Sequence, residues 1–128
     1  QATDLAPDQA LIWVMRAAVE RYAGQKDSAY ESAQKAVEQY PGFFYARYLA
    51  GITGYDLGRH EQSLVQLQQA NQILPDVPQV QFFIGRNHEA LNRREQAAQA
   101  YYKVLQQVRE GQMAQYCANR LKNWGYIK

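Results

Sequence analysis

The sequence has a single cysteine, Cys117, only two methionines, and no block of like charge anywhere in its 128 residues. One thiol cannot close an internal disulfide or build a thiolate metal site, so neither device holds this fold together. The 14 lysines and arginines stand against 12 aspartates and glutamates, a formal charge of +2. Such a balance, without a one-sided basic stripe, argues against nucleic acid as a partner even where basic and aromatic residues interleave, as in RYLAGITGYDLGRH. No apolar run approaches the ~20 residues that span a bilayer, so membrane insertion is not expected. The opening QATDLAPDQA carries neither a basic n-region nor an apolar h-region. Gly-rich phosphate loops, nucleophile elbows and HExxH pairs are absent, and the acids are scattered. The expectation is a protein that is not an enzyme and uses no cofactor and no metal. His60 reads as a solvated helix-start residue, His88 as a packed one and Cys117 as a small buried hydrophobe.

What is present is a period. Pro7, Pro41 and Pro75 stand 34 residues apart, and the same shift aligns Ala2, Ala36, Ala70 and Val104, and then Gly24, Gly58 and Asn92. A fixed period of this size marks stacked supersecondary units. Between the markers, apolar residues recur near the 3.6 helical step: Ile12, Val19 and Tyr22 in one segment, Phe82, Phe83 and Ala90 in another. The spacing predicts helix pairs at 9–23 and 26–40, 43–57 and 60–74, and 77–91 and 94–109, with a last helix at 112–123. Gly24, Gly58 and Asn92 fall where a first helix must stop and reverse, a position that favours a left-handed residue. Pro41 and Pro75 end second helices, because proline has no amide donor and clashes with a continuing turn. Pro7 is expected to do the same for an earlier unit, so that QATDLAP reads as the tail of a preceding helix in a longer array.

The residues in these columns resemble the tetratricopeptide repeat, whose pattern is W-x2-L-G-x2-Y, then A-x3-F, then P. The third unit offers Ile84-Gly85 and Ala97-x3-Tyr101; the second Ala50-Gly51, Ser63-x3-Leu67, Ala70 and Pro75; the first Trp13, Ala17, Ala29, Ala36 and Pro41. Arg16, Glu20, Gly54, Ala33 and Arg109 depart from it. The small pairs Ala17 with Ala29, Gly51 with Ser63 and Gly85 with Ala97 would let helix axes approach within ~8–10 Å. The resemblance implies an all-α fold, a right-handed superhelix of three antiparallel helix pairs with a C-terminal capping helix. Its units are 1–8 (tail of a preceding helix), 9–42, 43–76, 77–110 and 111–128. In the last, Met113, Tyr116, Cys117 and Leu121 would pack inward and Trp124 would close the edge.

By the same resemblance, first helices line a concave groove that holds a peptide or helix of another protein. In this register the groove residues are Leu11, Val14 and Ala18; Tyr45, Tyr48, Ile52 and Tyr55; and Gln79, Phe82, Arg86 and Glu89. Tyrosine offers large apolar area with a hydroxyl at its tip, which suits an interface. Relatives that grip acidic chaperone tails use Lys, Asn and Arg, where this chain has Val14, Ala18, Leu49, Gln79 and Phe83. The partner is therefore expected to be an apolar or aromatic protein segment, with Arg86 meeting one acidic group. The alternative readings are an accessory domain of a larger protein, or a structural scaffold that associates with further repeats or with its own copy through an open N-terminal face carrying Leu5 and Leu11.

Overall fold

The computed structural model describes residues 2–128, with side chains from Asp8 onward; Leu5 and Pro7 lie outside the described side chains. The described residues form seven helices and no strand: α1 (Ala2–Tyr22), α2 (Lys26–Gln39), α3 (Phe44–Asp56), α4 (His60–Ile73), α5 (Pro78–Ala90), α6 (Arg94–Gln107) and α7 (Gln112–Asn123). Two compact units result, Gln1–Pro75 with α1 to α4 and Asp76–Lys128 with α5 to α7. Within them α1 packs on α2, α3 on α4 and α5 on α6, while α3 also lies against α2 and α1, and α7 against α6.

The reversals follow from backbone chemistry. Gly24, Gly58 and Asn92 all adopt positive φ, at 81°, 77° and 62°. At each, two amides fold back on the helix just ended: Gly24 N–H donates to Arg21 and Gln25 N–H to Glu20, Gly58 to Tyr55 and Arg59 to Gly54, Asn92 to Glu89 and Arg93 to His88. This is the Schellman pattern, and it satisfies carbonyls that a helix end leaves without partners. The end of α7 repeats it, with Gly125 N–H to Lys122 and Tyr126 N–H to Leu121. Pro41 and Pro75 follow the ends of α2 and α4, and Pro78 opens α5, where a missing amide costs nothing.

Pro7 is a correction. It does not stop a helix, since α1 runs unbroken from Ala2 to Tyr22. Pro7 is the sixth residue of that helix, so its missing amide removes one i→i−4 bond near the start of α1 and leaves the ladder beyond it in place.

Inside each pair the small columns set the contact. Ser63 Oγ donates 2.6 Å to the carbonyl of Gly51, so α3 and α4 touch backbone to side chain. A Cβ added to Gly51 would lie 2.5 Å from Leu67 Cδ2, and one on Gly85 would enter the Tyr101 ring. The first pair has Ala17 in the glycine column and Ala33 in the large one, both fully buried. Volume removed from one column is thus returned in the other, which keeps the packing dense.

Candidate partner-binding site

Five aromatic rings run from the end of α2 into α3. Tyr40 stacks on Phe43 at 5.7 Å, Phe43 meets Tyr45 edge-on at 6.0 Å, Tyr45 meets Phe44 edge-on at 5.2 Å, and Phe44 stacks on Tyr48 at 5.9 Å. The Pro41-Gly42 turn brings them together, and Phe43 N–H closes it on the carbonyl of Tyr40. Arg47 fixes the turn from the helix side, with Nε donating 2.9 Å to the Pro41 carbonyl and its guanidinium 3.0 Å to Gln66 Oε1. Offset and edge-on rings at these separations stabilise one another beyond their buried area. Tyr45 is the ring most open to solvent, at 55% exposure. Tyr48 is half-buried; burial pushes its hydroxyl above the ordinary tyrosine range, against the opposing pull of Arg21. Two turns further on, Tyr55 meets His60 edge-on at 5.5 Å, so the half-exposed His60 also packs on a ring. Arg21 clasps Asp56 through Nε and Nη2, at 2.6 and 3.3 Å, and so ties α1 to α3 beside Tyr55.

The residues expected to line a groove separate into three groups. Leu11, Ala18, Tyr45 and Gln79 are exposed, and Tyr48 and Tyr55 half-exposed. Val14 and Ile52 are buried in the core and cannot present a surface. The first helices α1 and α3 pack directly on one another, and an apolar side chain in such a seam is covered. Phe82, Arg86 and Glu89 form the third group, engaged with α6 and α7. Phe82 contacts the rings of Phe83, Tyr101 and Tyr116 at 5.5, 6.2 and 5.6 Å. The Arg86 guanidinium lies 4.7 Å from the centre of the Tyr116 ring and 5.6 Å from that of Phe82, a cation-π position. Glu89 accepts from Tyr101 Oη at 2.7 Å and from Tyr116 Oη at 3.0 Å, and pairs with Arg120. These three side chains bind the second unit together.

Around Glu89 the α7 packing expected from sequence is present. Tyr101, Val104, Cys117 and Leu121 form a core joined by Met113, Tyr116 and Trp124. Burial holds the Tyr101 hydroxyl far above its ordinary range, helped by the Glu89 carboxylate that it donates to. Burial likewise pushes the Cys117 thiol up to about 12, which leaves it a poor nucleophile at neutral pH. Among the described residues, no three metal-ligating side chains come together, and no helix is long and apolar enough to cross a membrane.

Sequence reasoning missed Tyr40, Phe43 and Phe44 as members of the aromatic cluster. The signal was the run YPGFFY, read only as the junction between units. Ile12, Val19 and Tyr22, read from sequence as a helical spacing, lie on a helix and are all exposed.

Paired helices with left-handed turns at a constant interval, small residues between the partners of each pair and a closing α7 define the tetratricopeptide-repeat fold. Known structures agree. The first tetratricopeptide domain of Spaghetti (RPAP3), bound to the HSP90 peptide SRMEEVD, superposes with a TM-score of 0.84 at 15% identity, covering 94% of this chain and 95% of that one. The Arabidopsis OM64 tetratricopeptide domain gives 0.86 at 14% identity over 93% and 98%, and MamA 0.79 at 17% over 93% and 70%. At these identities the likeness is one of fold. No model of a protein family matches the sequence, and no curated protein is significantly similar to it.

Proposed function

We propose that the chain is a noncatalytic protein-interaction module that takes an apolar or aromatic segment of another protein, extended or helical, on its first-helix face. The observation that carries this reading is the linked set of rings from Tyr40 to Tyr48, with Tyr45 more than half exposed. Rings already fixed by their neighbours lose little freedom when a partner lands on them, so their apolar area is converted efficiently into affinity. Tyr55, with the Arg21–Asp56 pair beside it, would extend the surface with polar groups that orient the ligand. The Spaghetti domain holds an HSP90 peptide, which supports peptide capture as a use of this fold. Its acidic ligand does not transfer, because Val14, Ala18, Leu49, Gln79 and Phe83 stand at the carboxylate-gripping positions here. Charge recognition of an acidic tail would leave those charges without partners.

Amide NMR titrations with two synthetic peptides test this, one being SRMEEVD and the other a neutral heptapeptide rich in Trp, Phe and Pro. The aromatic peptide is expected to shift signals around Tyr45, Tyr48 and Tyr55, and the acidic one to leave them in place. Tyr45→Ala should weaken binding about tenfold, as for an exposed aromatic anchor. If a panel of such aromatic peptides produces no shift there, or if Tyr45→Ala leaves their affinity unchanged, the assignment is wrong.

A further inference from the structure

Helix α1 carries an apolar stripe that nothing among the described residues covers. Ile12, Met15, Val19 and Tyr22 are 63%, 58%, 67% and 96% exposed. Their 3-4-3 spacing is that of a coiled-coil seam, and Leu11 flanks it, also exposed. The repeat register shows what kind of face this is. A shift of 34 residues takes Ile12, Met15 and Val19 to Ala46, Leu49 and Thr53, all buried, on the helix that lies against α1 and α2. The stripe is therefore a helix-docking face by position, and it is more apolar than its counterpart on α3. The apolar patches of monomeric proteins seldom exceed ~300–600 Å². Five large, mostly exposed apolar side chains on one helix reach that range and approach the ~800 Å² per partner of a standard interface.

We infer that α1 is a self-association surface, on which a second copy of this chain docks its own α1 in antiparallel orientation. A two-fold axis beside residue 17 sets Ile12 against Tyr22 and Met15 against Val19 of the partner, so that every residue of the stripe is covered by another member of it. One surface serves both copies, as a two-fold interface requires. Charge permits the pairing: Arg16, beside the stripe, is engaged with Glu20 of its own helix at 3.3 Å, and Arg21 with Asp56. The axis beside residue 17 does bring the two Arg16 side chains near each other, and each is already paired with the Glu20 of its own helix. The aromatic cluster from Tyr40 to Tyr48 takes no part, and the inference stands independently of the peptide-binding proposal.

Sedimentation equilibrium and light scattering on the 128-residue chain decide the matter. The chain mass is 14.7 kDa; the expected result is about twice that mass, with a dissociation constant on the order of 1–100 μM, as for a small interface of this kind. Ile12→Glu/Val19→Glu should return the monomer with helical circular dichroism unchanged, since both sites are exposed. Met15→Lys is the second variant, in case the first folds poorly, and should weaken association at least tenfold. Tyr45→Ala should leave it unchanged. A wild-type chain that stays monomeric to about 500 μM, well above that range of constants, overturns the inference. So does a dimer that survives either α1 variant.

Discussion

Helices α1 and α3 carry the same register positions with opposite fates. On α3, Ala46, Leu49 and Thr53 are buried against the first helix pair, whereas on α1 the matching Ile12, Met15 and Val19 face solvent. Helix α5 offers the same contrast on another side, because Phe82, Arg86 and Glu89 are engaged by α6 and α7. A solenoid helix is thus two-faced by construction, and its neighbours decide which face becomes core. The two surfaces proposed above, the aromatic cluster and the α1 stripe, both lie where apolar side chains are left uncovered.

The contrast can be broken most severely on the covered side. Leu49→Glu places a charge in the core of the first unit and should cost at least about 3 kcal/mol, enough to unfold that unit in a thermal melt. Ile12→Glu at the matching exposed position should change the stability of the isolated monomer by no more than about 0.5 kcal/mol. Equal losses for the two would dissolve the comparison.

Gly85→Ala drives a Cβ into the Tyr101 ring, which is itself held by Glu89 and Trp124. The expected cost is about 1–3 kcal/mol. Gly51→Ala should cost less, because Leu67 is flexible and Tyr101 is not; chemical denaturation of both variants gives the order.

Alkaline pH probes the covered side without mutation. Both Cys117 and Tyr101 have folded-state pKa values raised above those of the unfolded chain, chiefly by burial. A raised acid favours its neutral form in the fold, so its stabilisation is complete below the unfolded pKa and is lost as pH climbs toward the folded one. Stability of the second unit should be flat to about pH 9 and fall by about 2 kcal/mol by about pH 11. Cys117→Ala should move the onset to about pH 10, where the unfolded tyrosines begin to ionise. A melting temperature independent of pH between 8 and 11 would contradict the burial of these groups.

The smallest effect on stability belongs to the uncovered side. Tyr45→Ala should shift the folding free energy by about 1 kcal/mol or less, since the ring loses only edge-on contacts with Phe43 and Phe44. A loss above about 2 kcal/mol in urea titration would make Tyr45 a core residue, not a binding one.

Much of the fold was legible in the sequence. The interval between Gly24, Gly58 and Asn92 located three helix ends, because only a left-handed residue closes the two amide-to-carbonyl bonds seen there. Gly51 with Ser63 was readable as a small pair that lets two helices approach, and Ser63 does bond the Gly51 carbonyl; that Leu67 and Tyr101 press on Gly51 and Gly85 was visible only in the structure. The site was legible in part. Tyr45 was placed on an exposed surface by register, but Val14 and Ile52 share that register and are buried. Helical period identifies the side of a helix on which a residue lies, not how deeply a neighbour closes over it. Arg86 and Glu89 were read as open for the same reason, although both sit within the α7 packing.

Local chemistry alone therefore determined the helix pairs, their turns and the small residues between them, since hydrogen bonding and backbone sterics act over a few residues. Pro7 marks the limit of that rule, since α1 continues through it at the loss of one ladder bond. Only the tertiary structure decided which apolar positions became core and which became surface. Burial belongs to a residue and its neighbours together, and Ile12 and Ala46 differ in their neighbours, not in their place in the repeat.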